Sequence, residues 1–334
     1  MPSEIIIPAR QTFTLESYDD LPLQPGEIRG RTLCTLISQG TEIGWANGDT
    51  FPIRPGYAAV FEVEEIGAGV TGVKPGERRF AMGYHRSTQT HAAENTLPLP
   101  KGMAPETAVI ARLMGVSMTT LMTTKARPGD RVIVTGAGPV GFLAAHLFRI
   151  GGYRVTVVDP DALRRKQLEQ SGIIDTRAAM PFEDPELQGQ VALVVDCSGH
   201  EGAVLDGCNM VRRMGEVVLV GVPWRKYTDL TAHDITNAVF FKHVTLRSGW
   251  EWELPIHGRS FLWEELLEGY NNAAHSVFGG FSRAIEFLAE GRIPLDGLVH
   301  HVTPEAPEAL YAQIIDRKIA EPFIVLNWTH PGAF

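Results

Sequence analysis

The 334-residue chain has little of what would decide its function at a glance. Its three cysteines, Cys34, Cys197 and Cys208, are widely spaced and form no C-x-x-C pair, which excludes a disulfide framework and a four-cysteine zinc lobe. No stretch approaches the ~18 apolar residues of a membrane span, and the apolar run in MPSEIIIPAR is too short for a signal peptide. The expectation is a reducing, cytoplasmic setting with no membrane partner. Positive charge is also scarce: 30 Lys+Arg against 39 Asp+Glu leave a formal charge of −9. That balance gives no electrostatic footprint for nucleic acid. The longest basic cluster, Arg164-Arg165-Lys166, reads as a solvated helix face. Internal repeats and low-complexity tracts are absent too.

The composition, 44% hydrophobic and 21% charged, is that of a globular chain with a sizeable core, and the length suggests about two domains. The first hundred or so residues are rich in Gly and Pro. Short β-type runs (Glu4–Ile7, Arg31–Ile37, Ala59–Ile66, Arg78–Met82) are separated by turns at Pro25, Pro55 and Pro75, an all-β pattern with many loops. Ala104–Thr124 is a long apolar stretch with helical spacing. From Arg131 strands and helices alternate, which predicts a parallel sheet. The strands are Arg131–Thr135, Arg154–Val158, Val191–Asp196, Glu216–Val220 and Val244–Arg247, nearly all apolar as strands covered on both faces should be. Helices are expected at about Val140–Ile150, Leu163–Gln170 and Gly202–Arg213. After Gly249 comes an aromatic-rich segment, WEWELPIHGRSFLWEELLEGY, then a helix at about Phe281–Glu290 and a final Ile314–Trp328 region.

The most specific stretch is RVIVTGAGPVGFLAAHLFRIGGYRVTVVDPD. Gly136, Gly138 and Gly141 follow an apolar strand and open a helix, and the next strand ends in Asp159, 23 residues beyond Gly136. That context is what a dinucleotide fingerprint demands. Gly136 allows the tight turn, Gly138 lets backbone approach a pyrophosphate, and Gly141 lets the helix pack close to the sheet. Pro139 and Val140 begin the helix whose N-terminus faces the phosphates. Asp159 would accept hydrogen bonds from ribose hydroxyls and repel a 2′-phosphate, favouring NAD over NADP, with Arg164 and Arg165 as the residues that could instead reach a phosphate. Ser198 after VVDC, and Gly221 with Val222 after EVVLV, end two further strands and are candidate cofactor neighbours, or ordinary strand-to-loop turns.

This order of parts, with GDRVIVTGAGPVG, RRMGEVVLVG and FSRAIEFLAEGRIPLDGLVHHVTPEAPEALYAQI, resembles the medium-chain dehydrogenase/reductase superfamily. The resemblance implies an α/β protein in which a Rossmann cofactor domain is inserted into a GroES-like β-rich catalytic domain. The expected domains are 1–119, 120–252 and a C-terminal return over 253–334, with the active site in the cleft between them. By the same resemblance a homodimer is expected, formed through edge strands of the cofactor domain.

Zinc-dependent members carry a Cys shortly before an acidic residue, then Gly-His-Glu, then a further ligand. Here LISQGTE has Ser38 and Gln39 near the Cys position, PGYAAVFEV has Tyr57 and Ala58 in place of His and Glu, and RLMGVSMTTLMTT offers no ligand. The chain therefore resembles a zinc-free branch that groups with bacteriochlorophyllide hydroxyethyl-group dehydrogenases, and no metal is expected. Glu62, Glu64, His85 and His91 are the only improvised alternative.

Oxidising an alcohol without a metal needs a side chain that takes the hydroxyl proton. Tyr57 stands at the family's metal-binding His, and as a base its phenol needs a lowered pKa from nearby positive charge. The resemblance gives Thr41 a proton-relay role and makes Glu42 an orienting carboxylate for Thr41 or Tyr57, or a base. His85, in a loop after an apolar strand, is expected to face the cleft and to titrate near neutrality. Each has a plain structural alternative: Tyr57 filling the hole left by a metal, Thr41 and Glu42 capping a turn, His85 solvated. Lys125 reads as surface. Ser38, Trp45, Trp250 and Trp252 are candidate substrate contacts. With His257, Trp263 and Tyr270 the last two suit a ring-bearing substrate such as a sugar or cyclitol, or equally a subunit interface. The leading expectation is an NAD-dependent, zinc-independent oxidoreductase of secondary alcohols and ketones. The alternatives are a C=C (enoyl or quinone) reductase, an enzyme using tightly held NAD for transient oxidation, and a non-catalytic nucleotide-binding protein.

Overall fold

The computed structural model describes residues 1–251 and 276–329. It divides into two compact units, Met1–Arg112 with Ile285–Phe334, and Leu113–Ala284. The boundaries expected from sequence are 119/120 and 252/253; the divisions between the units fall within helices α3 (Ala111–Thr123) and α8 (Val277–Ala289).

In the second unit six strands form one sheet: β8 (Arg131–Thr135), β9 (Arg154–Val158), β10 (Thr176–Arg177), β11 (Val191–Asp196), β12 (Val211–Leu219) and β13 (Thr245–Ser248). Their order is β10-β9-β8-β11-β12-β13, and every pairing is parallel. Val132, Ile133, Val134 and Val191–Val195 are buried, because helices cover both faces of a parallel sheet. The crossovers carry α4 (Pro139–Ile150), α5 (Ala162–Gln170) and α6 (Glu201–Met210). The order reverses between β8 and β11, and a ligand of an open α/β sheet binds outside the carboxyl ends at such a point. Register brings Thr135, Val158 and Asp196 into line there.

In the first unit a seven-stranded sheet runs β14-β15-β3-β4-β5-β7, with β6 also on β3. The early strands are β3 (Glu27–Ile37), β4 (Ala59–Ile66), β5 (Arg78–Ala81), β6 (Thr88–Ala92) and β7 (Thr96–Pro98). The C-terminal part of the chain adds β14 (Val299–Val302) and β15 (Phe323–Asn327), with β15 antiparallel to β3. A separate pair joins β1 (Ser3–Ile6) to β2 (Thr14–Ser17). Ile5, Ile7, Phe13, Ile37, Tyr311, Ile314, Ile324 and Leu326 share one core, so α9 (Pro307–Ile315) and β15 are part of the first unit's interior.

Two sequence expectations need correction. The N-terminal region is not all β: Gln39–Ala46 forms helix α1, whose Glu42 amide bonds the Ser38 carbonyl. The apolar stretch Ala104–Thr124 is helical as its spacing suggests, in two pieces, α2 (Pro105–Ala108) and α3, separated at Val109–Ile110. The helix read over Gly202–Arg213 ends at Met210; β-branched Val211 opens β12, where pairing with β11 outweighs local preference. One helix escaped the reading, α7 (Ala232–Lys242), entered through Thr231, whose backbone N–H is held by the Asp234 carboxylate at 2.8 Å.

Candidate functional sites

The nucleotide edge of the second unit is built mostly from backbone. Gly136 has φ +85°, and a Cβ on Gly141 would stand 1.7 Å from the Gly136 carbonyl oxygen, so only glycine lets α4 approach this turn. A Cβ at Gly138 would meet no protein atom within 4 Å, and α4, with Gly138 as its N-cap, Pro139 first and Val140 next, has no side-chain cap. Open space before an uncapped helix N-terminus fits a diphosphate, which takes hydrogen bonds from free N–H groups and favourable charge from the helix dipole.

Asp159 is buried at the end of β9. Its carboxylate accepts from the Ala137 amide (2.6 Å) and the Asp161 amide (2.8 Å), and the half-exposed Arg164 stands 3.7 Å away. Arg165 turns aside to the carbonyls of Asp159 and Pro160. One residue the sequence reading passed over organises this edge. Asp196, fully buried, accepts from the Thr135 hydroxyl (2.7 Å), the Ser198 hydroxyl (2.5 Å) and the Ser198 and Gly199 amides (both 3.1 Å). Burial raises its pKa, and those donors oppose the rise. An acid ending an apolar strand, as Asp159 also does, was the available signal. Ser198 is thereby a partner of Asp196. Gly221 packs so closely that a Cβ would lie 2.4 Å from the Gly199 amide, while Val222 is half-exposed.

In the first unit the candidate acid–base residues fall into two adjoining clusters. The outer one is made of hydroxyls. The Tyr57 phenol is 3.5 Å from the Thr41 Oγ1, with the Ser38 side chain also among the groups that act on it. Its ring lies under the Arg112 guanidinium (4.5 Å to the centroid) and edge-on to Trp45 (centroids 5.9 Å apart, 66°). Burial pushes the Tyr57 pKa up; Arg112 and the two hydroxyls pull against this, and Glu42 adds to it. The lowered pKa that a tyrosine base needs is thus absent: Tyr57 is held as a phenol. Sequence reading missed Arg112, although a lone cation in the apolar run AVIARLMGV was a signal.

The inner cluster is fully buried. Glu42 and His85 have no exposed surface, and His85 Nε2 is 3.2 Å from both Glu42 oxygens. Glu42 also accepts from the Ser38 amide (2.8 Å) and the Tyr311 hydroxyl. On the other side, His85 Nδ1 is 2.8 Å from Thr35 Oγ1, which accepts from the Trp328 indole N–H at 3.0 Å. Both ring nitrogens of His85 thus have a partner in the interior, a hydroxyl at Nδ1 and a carboxylate at Nε2. His85 is therefore interior, not a loop histidine open to solvent, and Glu42 holds His85, Tyr311 and the Ser38 amide rather than Thr41 or Tyr57. Gly56, φ +93°, rests against His85: a Cβ there would be 2.5 Å from the His85 amide and 2.9 Å from its ring. Thr35, Tyr311 and Trp328 were not foreseen, since nothing near them in sequence marks them.

Among the described residues no three His, Cys, Asp or Glu side chains converge as a metal site. Ser38, Thr41 and Tyr57 are neutral hydroxyls, and Glu42 and His85 are committed to each other. Elsewhere Glu62 and Glu64 face Arg31, and His91 bonds Gln89. This donor set does not fit zinc, which takes three converging N, S or O ligands. Trp250 is exposed by 55%. Trp252, His257, Trp263 and Tyr270 lie outside the described residues.

Residues 139–253 match the family model described as zinc-binding dehydrogenase. Over 268 residues the chain is 26% identical to L-threonine 3-dehydrogenase of Pyrococcus horikoshii, covering 66% of this chain and 75% of that protein. Acetophenone reductase from Geotrichum candidum, in complex with NAD, superposes with TM-score 0.78 at 12% identity, covering 98% of this chain and 97% of that one. A Sinorhizobium meliloti 1021 chain bound to NADP superposes with TM-score 0.78 at 16% identity, covering 98% and 99%. The fold is that of a medium-chain alcohol dehydrogenase. The solved structures show the fold, and the zinc-binding dehydrogenase model is matched over residues 139–253. No helix among the described residues is long and apolar enough to cross a membrane.

Proposed function

We propose that the chain interconverts a secondary alcohol and a ketone with NAD, without zinc. The observation that carries this reading is the hydroxyl cluster: Ser38 and Tyr57 stand at positions where the resemblance puts metal ligands, Thr41 at its proton-relay position lies beside Tyr57, and the nearby carboxylate and imidazole are bonded to each other. The names of two similar proteins, a threonine 3-dehydrogenase and an acetophenone reductase, both denote chemistry at a secondary alcohol or ketone carbon. Asp159 supports NAD over NADP, because a second anion beside its carboxylate would be repelled.

When bound, the nicotinamide gives or takes the hydride. The chain's own residues do the rest. The Gly136–Gly141 turn and the start of α4 hold the diphosphate, and Asp159 takes the ribose. Tyr57 hydrogen-bonds the substrate oxygen and gives it a proton in the reducing direction; in the oxidising direction it takes that proton back only after its own has left. Thr41, beside it, passes that proton on. Zinc would otherwise supply this acidity as a Lewis acid.

The test is absorbance of NADH across secondary alcohols, polyols, cyclitols and the matching ketones, each with and without a chelator. Chelator-insensitive turnover is expected, with NAD(H) preferred to NADP(H). Tyr57→Phe should lower kcat by ~10²–10⁴-fold and leave NAD affinity unchanged. Turnover abolished by the chelator would overturn the metal-free reading, and wild-type turnover in Tyr57→Phe would remove Tyr57 from the mechanism.

A further inference from the structure

A phenol that hands a proton to a ketone oxygen becomes a phenolate. In a buried site that negative charge is costly unless something fixed compensates it. Zinc would have been such a charge. The hydroxyls of Ser38 and Thr41 are dipoles, and the nearest ionic group of the inner cluster, Glu42, has the wrong sign. Among the described residues the cation on the Tyr57 ring is Arg112, itself only 5% exposed.

We propose that Arg112 is the positioning residue of this site: its guanidinium, seated on the Tyr57 ring, fixes the phenol and stabilises the phenolate left when Tyr57 gives its proton to a ketone oxygen. A cation over an aromatic face is attracted to the ring and holds its rotamer, and the attraction grows when the ring becomes anionic. Arginine suits the place because it stacks as a plane and stays charged when buried. Trp45 restrains the same ring edge-on at 5.9 Å, so the phenol oxygen is kept toward Thr41.

The step balances. The carbonyl carbon takes up a hydride, two electrons with one hydrogen nucleus, from the reduced nicotinamide while the C=O π bond breaks. The carbonyl oxygen takes the Tyr57 proton. The alcohol and the oxidised nicotinamide leave, and a proton from solvent, passed through Thr41, restores the phenol. Because burial favours the phenol over the phenolate, the resting site is set for reduction of a ketone. The groups that decide the titration of Tyr57 are Arg112 from α3, which favours the phenolate, Glu42 from α1, which opposes it, and the hydroxyls of Ser38 and Thr41, which favour it.

The inference rests on the function proposed above, so its test does not require turnover. Tyr57 is replaced in the full chain by 3,5-difluorotyrosine, whose phenol titrates nearer neutrality than tyrosine. Its ionisation is followed by ¹⁹F NMR in the Arg112 protein, in Arg112→Lys, in Arg112→Met and in Arg112→Gln. The expected result is a midpoint at least one pH unit higher, tenfold in the ionisation constant, in Met and Gln, with most of the shift recovered by Lys. Two neutral variants are measured so that poor folding of one leaves the comparison intact. Coincident midpoints in the arginine and neutral proteins would overturn the role of Arg112. An inactive substrate panel together with the shifted midpoint would instead count against the proposed function and leave the Arg112–Tyr57 pair standing.

Discussion

The two units build their candidate sites from different materials. In the Rossmann unit the nucleotide edge is a turn with a missing Cβ, an uncapped helix and a row of strand ends. In the β-rich unit the candidate acid–base site is a set of side chains contributed by β3, α1, the loop before β4, the loop before β6, the start of α3, α9 and the segment just after β15. The first kind of site is a matter of where backbone is allowed to go. The second is a matter of which donor meets which acceptor, and it exists only once distant segments have been brought together. The two should therefore fail differently.

The largest failure is expected at the backbone site. Gly141→Val puts a branched side chain where even a Cβ stands 1.7 Å from a backbone oxygen, and backbone cannot swing aside as a side-chain tip can. The helix must leave the sheet or the turn must break. We expect a loss of more than ~4 kcal/mol of stability and no measurable NAD binding, checked by thermal melting and by calorimetric titration. A folded Gly141→Val protein that binds NAD would show that the turn has more room than its geometry allows.

The same difference governs what could be read in advance. Gly136, Gly138, Gly141 and Asp159 lie within one strand-turn-helix-strand unit, so spacing alone points to them, and the sheet strands were legible because strands buried on both faces are apolar throughout. The inner cluster had no such trace. Tyr311 is 269 residues from Glu42 and Trp328 is 293 from Thr35, and each reads locally as an ordinary core aromatic. Helix α1 was misread for a related reason: its residues, QGTEIGWA, include two glycines and a threonine, so its support comes from packing and from Glu42 rather than from propensity. Helix α7 is a different case, since Thr231-x-x-Asp234 was a readable start signal.

Next in size is the side-chain site, which should lose stability by degrees. Glu42→Ala strands His85 Nε2, the Tyr311 hydroxyl and the Ser38 amide at once in a place with no water access. Leaving three buried polar groups without partners costs about 1–3 kcal/mol for each. Tyr311→Phe removes a single donor to a carboxylate, about 1.5–3 kcal/mol, and keeps the ring stacked on Phe13 at 3.8 Å. Urea unfolding of both variants checks the order. Equal losses would mean that the Tyr311 hydroxyl, not the carboxylate, holds the cluster together.

The smallest effect compares the units through one histidine in each. Burial, with Arg149 nearby, lowers the pKa of His146 from 6.5 to about 4, and burial with Arg86 does the same for His91. His146 is 3% exposed, bonds the Ser171 hydroxyl at 2.9 Å and packs on Phe142; His91 is only half-buried, so water blunts its share. Between these pKa values the unfolded chain binds protons that the folded chain refuses. Stability contributed by neutral His146 is therefore present above pH 6.5, falls as pH drops toward about 4, and falls no further below that. Over the whole window His146 accounts for ~3 kcal/mol at most. His146→Gln keeps a donor for Ser171 without the titration, so its unfolding free energy should decline less between pH 6.5 and pH 4 than that of the unsubstituted protein. His91→Gln should flatten the curve less than His146→Gln does. The reverse order would mean that the β-rich unit, not the Rossmann unit, sets the acid limit of the fold.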